Sequence, residues 1–283
     1  MRLVFAGTPE PAAAALERLI ASDHEVVAVL TRPDARRGRG RTLHPSPVKA
    51  LAVEHGIEVL TPESLTRDDA IRQQLEELAP DAIPVVAYGN LIPADMLDIP
   101  KHGWVNLHFS LLPQWRGAAP VQAAIAAGDA VTGATTFRIN EGLDTGDILE
   151  ALETEIGQAE TSGELLERLA YAGADLLVKT MDALEAGTAE PTPQPEEGTY
   201  AHKIAPADAR VGWNQPAAVI DRGIRAHTPA PGAWTMRGEN RFKLGPVTPT
   251  GEGTLAPGEA ALGKNEVLVG TADGDVRLGT TQP

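Results

Sequence analysis

The residues best equipped for chemistry lie in the run Val105-Asn106-Leu107-His108-Phe109-Ser110-Leu111-Leu112-Pro113, followed by Arg116-Gly117-Ala118-Ala119-Pro120. Further on comes Gly142-Leu143-Asp144-Thr145-Gly146-Asp147. In an extended strand alternate side chains share a face, so Asn106 and His108 point the same way where the strand gives out into a loop. Asp144, on a second loop, is the carboxylate that can tune them. A neutral amide donor, a titratable ring and a carboxylate are the parts needed to move an acyl group onto an amine. Each has an ordinary explanation when taken singly. His108 could be a hydrogen-bonded structural histidine, Asn106 could satisfy backbone groups at a strand end, and Asp144 could be a turn aspartate. No common structural explanation covers all three strings together.

Elements that would position these groups can be read from hydrophobic periodicity. Strands are predicted at Leu3–Phe5, Glu25–Thr31, Ile57–Leu60, Ala82–Ala87 and Trp104–His108, with helices at Pro11–Ala21, Ser46–His55 and Asp68–Leu78 between them. Pro120–Ala127 reads as a helix, Gly133–Ile139 and Ile148–Ile156 as further strands, and Thr161–Ala186 as a long amphipathic helix. Repeated strand–helix units predict an α/β, doubly wound, mainly parallel sheet covered on both faces. Ligands bind such sheets beyond the carboxyl ends of the strands, which is where Asn106 and His108 fall. Residues 188–205 are rich in proline and read as an extended linker between a first domain (1–187) and a second (206–283). The second domain opens with a helix at Pro216–Ala226. Short strands follow near Ala233–Arg237, Arg241–Leu244, Glu259–Leu262, Val267–Val269 and Val276–Leu278, with Ala272-Asp273-Gly274-Asp275 as a hairpin turn. This is a small β-rich domain, expected to be a barrel.

The bulk properties narrow the classes. The chain has 283 residues, 42% hydrophobic, with no apolar run long enough to span a bilayer. Its amino terminus is strand-like rather than a charged-then-apolar signal peptide, so a cytoplasmic protein with no membrane partner is expected. With no cysteine there is no thiolate nucleophile and no cysteine-based metal site, and the histidines and carboxylates show no metal-ligand spacing. The formal charge of −15 argues against broad adhesion to nucleic acid but leaves room for a local basic patch. Arg32, Arg36, Arg37, Arg39 and Arg41 crowd one Gly-containing stretch, balanced there only by Asp34. Gly7-Thr8-Pro9 after the first strand lacks the G-x-G-x-x-G fingerprint of dinucleotide binding.

The set N-x-H-x-S-L-L-P, R-G-A-A-P, G-x-T-x-F and G-L-D-T-G-D resembles the folate-dependent formyltransferase superfamily. Nearly the whole chain is similar to its methionyl-tRNA formyltransferase family. The likeness runs through Val4-Phe5-Ala6-Gly7-Thr8-Pro9-Glu10, Arg32-Pro33-Asp34, Arg37-Gly38-Arg39-Gly40, Leu43-x-Pro45-Ser46-Pro47-Val48-Lys49 and Ala87-Tyr88-Gly89 with Ile92-Pro93. It continues in the second domain with Tyr200-Ala201-x-Lys203-Ile204 and Ile224-Arg225-Ala226 through Pro229-x-Pro231. The resemblance implies a Rossmann-like formyltransferase domain, an oligonucleotide-binding-type (OB-like) β-barrel, and 10-formyltetrahydrofolate as cosubstrate with no metal. It implies transfer of the formyl group directly to the α-amine of methionyl-initiator tRNA, for translation initiation. Asn106 would donate to the formyl oxygen as it becomes an oxyanion. His108 would lie beside the same carbon, and Asp144 would set the charge state of His108 and assist proton movement from amine to folate nitrogen. Ser110, Leu111, Leu112 and Pro113 would form the folate-binding turn, and Ala87, Tyr88, Gly89 and Asn90 would help form the pterin pocket through backbone groups.

For the nucleic acid, the resemblance favours insertion of the arginine stretch (Arg36, Arg37, Arg39, Arg41) against the tRNA acceptor end. Arg39 or Arg41 would make the main contact, and the sequence does not separate them. Lys203, Arg222, Arg225, Arg237, Arg241 and Lys243 are candidates for phosphate contacts in the second domain, diluted by similar numbers of acids. A monomer is expected, since one chain carries both the site and the platform. The chain departs from the family pattern in four places. Pro11 replaces an aromatic residue, Phe137 a common methionine and Asn90 a frequent lysine. The sequence stops at Thr280-Thr281-Gln282-Pro283, where relatives usually continue; if that end is missing, weaker tRNA affinity with intact chemistry is expected. Two competing readings are a sugar-nucleotide formyltransferase, which shares the Asn, His, Asp and SLLP set, and a non-catalytic RNA-binding protein on the same scaffold. The arginine stretch with the β-rich tail argues against the first, and the intact catalytic set against the second.

Overall fold

A computed structural model of the chain describes residues 1–37 and 42–282. These residues form two compact units, and the division does not follow a single cut in the sequence. One unit comprises Met1–Arg116, Gly133–Glu153 and Glu167–Thr199, and the other Gly117–Thr132, Thr154–Leu166 and Tyr200–Pro283.

The elements in chain order begin with β1 (Arg2–Gly7), α1 (Glu10–Ile20), β2 (Glu25–Leu30), β3 (Ala35–Arg37), β4 (Thr42–His44), α2 (Pro47–Glu54) and β5 (Glu58–Leu60). They continue with α3 (Asp69–Leu78), β6 (Ile83–Val86), β7 (Trp104–His108), β8 (Arg116–Gly117), α4 (Pro120–Ala127), β9 (Val131–Arg138), β10 (Ile148–Glu155) and α5 (Ser162–Ala186). Local chemistry sets the helix starts. Pro11 stands in the first turn of α1, where its missing N–H costs nothing, so its replacement of an aromatic residue leaves the helix start intact. Ser46 caps α2 through its Oγ, which accepts from the Lys49 N–H at 3.0 Å, and Asp68 caps α3 in the same way from Ile71 at 3.2 Å.

Seven strands make one sheet in the order β10-β9-β7-β6-β1-β2-β5. The pairs β1·β2, β1·β6, β2·β5 and β6·β7 are parallel, and β9 joins β7 antiparallel. The expected doubly wound sheet therefore carries an antiparallel edge. The chain leaves β1 toward β2 and β5, then returns to β6 on β1's other side. The strand order thus reverses between β1 and β6, where such sheets open a crevice at their carboxyl ends. On one face a core gathers Val4, Ala28, Leu30, Ile71, Leu75, Ile83, Val85 and Trp104. The long helix α5 buries Leu169, Leu176, Leu177, Met181 and Leu184. A Cβ on its Gly173 would stand 3.0 Å from Leu107 Cδ2, so Leu107 of β7 faces α5 at close range.

The second unit contains α4, β11 (Tyr200–Ala201), α6 (Ala217–Ala226), β12 (Trp234–Arg237), β13 (Asn240–Leu244), β14 (Thr248–Pro249), β15 (Ala260–Leu262), β16 (Val267–Gly270), β17 (Asp275–Arg277) and β18 (Thr281–Gln282). Its strands form sheets ordered β12-β13-β18 and β14-β17-β16-β15, with every register-paired neighbour antiparallel. Both contribute to one core with α6, through Ile220, Ile224, Ala233, Leu244, Val247, Val269 and Val276. The predicted turn at 272–275 lies between β16 and β17 as expected. Among the described residues no helix is long and apolar enough to cross a membrane, and no group of three or more His, Asp or Glu side chains could hold a metal ion.

Candidate active site

Strand β7 delivers two polar side chains to one face. Leu107 is turned toward α5, so alternation sends Asn106 and His108 to the opposite face. Register with β9 sets Phe137 opposite Asn106 and Thr135 opposite His108. Phe137, which is buried, meets the His108 ring edge-on, with centroids 6.4 Å apart and planes at 78°. Phe137, which is expected from the sequence to replace a common methionine, thus sets an aromatic ring edge beside His108.

His108 is buried, and its two nitrogens have different surroundings. Nε2 lies 2.8 Å from the backbone oxygen of Trp115. A carbonyl can only accept, so Nε2 carries a proton and Nδ1 of the neutral ring presents a lone pair. Nδ1 in turn faces Asp144 Oδ2 at 3.8 Å. Trp115 itself takes a left-handed backbone conformation (φ 58°), and its N–H donates to Thr199 Oγ1 at 2.8 Å. The carbonyl that orients the imidazole is therefore held by a contact 84 residues away in sequence.

Asp144 is placed by a tightly turned loop. Its φ of 53° lies in the left-handed region, which a short polar side chain tolerates. Asn140 Oδ1 accepts from the Gly142 N–H and from Thr145 Oγ1, each at 3.0 Å. Gly146 is needed because a Cβ there would stand 1.6 Å from the Arg138 carbonyl oxygen. Gln194 Nε2 reaches into the same loop and donates to the backbone oxygens of Asp144 (3.0 Å) and Gly146 (2.7 Å).

The SLLP turn is occupied with its own construction. Ser110 is fully buried and donates to the Gln114 oxygen at 2.6 Å, while the Leu112 N–H donates to Thr135 Oγ1 at 3.2 Å. Thr135 Oγ1 donates back to the Ser110 oxygen at 2.7 Å. The Ser110 hydroxyl thus ties the turn together, whereas Leu111 and Pro113 are half-buried. At the reversal between β1 and β6, Thr8 Oγ1 donates to the Tyr88 oxygen at 2.9 Å, joining the two strand ends. The turn after β6 is built from backbone: Ala87 and Gly89 both take positive φ (46° and 81°). The Tyr88 ring is buried, and burial pushes its phenol above its ordinary pKa. Asn90 donates to the Tyr88 hydroxyl at 3.3 Å and accepts from Arg32 Nη1. A cation thus stands beside Asn90, supplied by Arg32 just beyond β2.

Arg36 and Arg37 stand on β3, which pairs antiparallel with β4: Ala35 with His44, Arg36 with Leu43 and Arg37 with Thr42. Arg36 is exposed. Arg39 and Arg41 lie outside the described residues. In the second unit, Arg241 stacks on Trp234 at 4.2 Å and Arg210 at 5.5 Å. The expectation that Arg225 contacts phosphate is corrected. Its side chain is buried and bonded to Asp221 Oδ2 (2.9 Å) and the Glu160 oxygen (3.0 Å), so it has been spent on internal structure.

Sequence reasoning did not find Gln194, Thr199 or Thr8, because each acts through backbone atoms of residues distant in sequence. Arg116, in the Arg116–Pro120 motif, is only 1% exposed.

A formyl transferase family profile matches residues 1–181, and the profile of the formyl transferase C-terminal domain matches residues 203–283. The methionyl-tRNA formyltransferase of Corynebacterium aurimucosum is 64% identical, with all of this chain and 90% of that protein aligned. That of Rhodococcus erythropolis is 58% identical, over all of this chain and 92% of that protein. Among solved structures, an N-formyltransferase from Helicobacter canadensis in complex with folinic acid and dTDP-3-aminofucose superposes with a TM-score of 0.76 at 18% identity, covering 99% of both chains. A methionyl-tRNA formyltransferase from Clostridium thermocellum superposes with a TM-score of 0.60 at 16% identity, again over 99% of both. Those two likenesses establish the fold, and the end-to-end identity to the first two proteins establishes the lineage. The chain belongs to the formyl transferase family, among the methionyl-tRNA formyltransferases.

Proposed function

We propose that this enzyme transfers the formyl group of 10-formyltetrahydrofolate to the α-amine of methionyl-initiator tRNA. The observation that carries the reading is the 64% identity over the whole chain to a methionyl-tRNA formyltransferase. The site supports it with a histidine whose free nitrogen faces a carboxylate. The pteridine of the cosubstrate is assigned to the crevice beyond β1 and β6, lined by the backbone of Ala87, Tyr88, Gly89 and Asn90. Leu111, Leu112 and Pro113 lie on its SLLP side, with Ser110 bracing the turn.

Asn106 donates a hydrogen bond to the formyl oxygen as charge builds on it, where a preorganised donor is most effective. His108 Nδ1 takes the proton that the amine must lose, because Nε2 is committed to the Trp115 carbonyl. Asp144 stabilises the resulting imidazolium, which returns the proton to the departing folate nitrogen. The new C–N bond forms to the amine, the old one to the folate nitrogen breaks, and one proton passes between the two nitrogens. Neither a covalent enzyme intermediate nor a metal is required.

Arg36, Arg37, Arg39 and Arg41 are assigned to the tRNA acceptor end, and the exposed Arg241 and Arg210 around Trp234 to phosphates in the second unit. The same reading has the enzyme working as a monomer in the cytoplasm, where initiator tRNA is charged. The test is incubation with 10-formyltetrahydrofolate and either methionyl-initiator tRNA or an amino-sugar nucleotide. Formylmethionyl-tRNA is expected, and His108→Ala should abolish it without unfolding the chain. Formylation of the sugar alone, or full turnover by His108→Ala, would overturn the reading.

A further inference from the structure

The segment read as a linker is bound to the catalytic loops along much of its length. Thr192 exchanges two backbone hydrogen bonds with Ile148, each 2.8 Å, at the start of β10. Gln194 donates to the Asp144 and Gly146 oxygens. Gln194 Oε1 in turn accepts from Arg116 Nη2 (3.0 Å) and Nε (3.3 Å), which fixes the amide so that its N–H groups point into the Asp144 loop. Arg116 is held by the strap itself, donating to the oxygens of Pro195 (2.8 Å) and Glu196 (3.2 Å). The strap then passes so close to the SLLP turn that a Cβ on Gly198 would stand 2.5 Å from the Pro113 oxygen. Finally Thr199 accepts from Trp115, whose carbonyl orients His108.

We infer that Gln194 is a positioning residue for Asp144, and that the strap from Thr192 to Thr199 sets the His108–Asp144 geometry from outside the site. One side chain, oriented by a buried guanidinium, holds the backbone of the carboxylate's loop. Five residues on, a second holds the carbonyl that fixes the imidazole tautomer. The strap touches neither reacting nitrogen, so its effect is on placement. The inference rests on the proposed roles of Asp144 and His108.

The informative variant is Gln194→Glu, which keeps the shape and the acceptor for Arg116 but replaces both N–H donors with an oxygen facing two carbonyls. Misplacement of a reacting group by about 1 Å costs about 100-fold in rate. Gln194→Glu should therefore lower kcat by about 10- to 100-fold while KM for methionyl-tRNA and for 10-formyltetrahydrofolate stays within about twofold. In a chain already carrying Asp144→Asn, the same change should have little further effect on kcat, because residues acting as one unit are non-additive. Amide hydrogen exchange over residues 140–147 should rise in Gln194→Glu, a readout independent of turnover. An active parent chain whose Gln194→Glu variant keeps its kcat overturns the inference, as does a loss fully additive with Asp144→Asn. Faster exchange with unchanged kcat does the same, by showing a merely structural contact. A parent chain that formylates no methionyl-tRNA overturns the functional reading instead.

Discussion

Replacing Gly146 with alanine tests whether the exact placement of Asp144 sets the rate. A Cβ at Gly146 falls 1.6 Å from the Arg138 carbonyl oxygen, and ordinary contact begins near 3.4 Å, so about 1.8 Å of room is missing. The obstacle is backbone at the end of β9, where the Arg138 N–H also bonds the Asp147 oxygen at 2.9 Å, and it cannot swing aside. The loop carrying Asp144 must move instead. A shift of that size exceeds the roughly 1 Å that already costs about 100-fold, so kcat for formyl transfer should fall by about 100-fold or more. Overpacking should cost about 1–3 kcal/mol of stability. Gly142→Ala is the control. Its Cβ meets Thr145 Oγ1 at 2.1 Å, the tip of a side chain that can rotate at the expense of its bond to Asn140. Losing one such bond costs about 1 kcal/mol, and kcat should drop less than about tenfold. The assay is single-turnover formylation of methionyl-initiator tRNA with both substrates saturating, alongside thermal unfolding. A Gly146→Ala enzyme within a few-fold of the parent, or a Gly142→Ala enzyme equally impaired, would refute the link between loop position and rate.

Asn106→Ala removes the donor assigned to the formyl oxygen and should lower kcat by about 100- to 1000-fold, with little change in KM; an equal rise in KM would assign it to binding instead. Ser46→Ala should destabilise the chain without touching kcat. It removes the α2 cap, worth about 1 kcal/mol, and strands the fully buried Thr31 hydroxyl now 2.6 Å from Ser46 Oγ, at about 1–3 kcal/mol more. Chemical denaturation would measure it, and a loss below about 1 kcal/mol would contradict the burial. Glu164 accepts from the Thr161 N–H and hydroxyl, and these hydrogen bonds, the backbone one first, hold its carboxyl below the ordinary value of 4.5. A carboxylate lowered only in the folded state stabilises above its unfolded pKa, and that stability is lost as pH falls through the folded value. Glu164→Gln should therefore flatten the decline in melting temperature below about pH 4.5, and an unchanged acid limb would show that the contact carries no linkage.

The face that carries Asn106 and His108 was legible because its determinants are local. Trp104–His108 and Pro120–Ala127 form the predicted strand and helix end to end, with Gly103 just before the strand and Gly128 just after the helix. Alternation then placed Asn106 and His108 together without any tertiary information. The pairing of Ala35–Arg37 with Thr42–His44 was hidden, since these strands are only three residues long and have no alternating apolar face. Two-residue strands such as Thr248–Pro249 and Thr281–Gln282 give no pattern at all. Arg225 misled for a different reason. A cation in a sequence carries no sign of whether its partner is phosphate or, as here, an aspartate one helical turn earlier.

The proline-rich segment shows how a reading from composition alone can conceal tertiary contacts. Proline disfavours helix, and residues 188–199 contain none; composition also implies that such a chain is a spacer. Backbone outside a helix, however, leaves its carbonyls unpaired, and Pro195 and Glu196 offer theirs to Arg116. The buried guanidinium needs acceptors, and the strap needs an anchor, so the contact satisfies both. Once anchored, Gln194 falls within reach of the Asp144 loop and Thr199 within reach of Trp115, whose carbonyl bonds His108. Without the Trp115 carbonyl, no acceptor on that side would hold the proton on Nε2. With it, Nδ1 is the acceptor and Asp144 stands behind it. In the proposed mechanism the direction of proton transfer depends on that backbone oxygen, and Trp115 is held in place by the segment that looked most like mere connection.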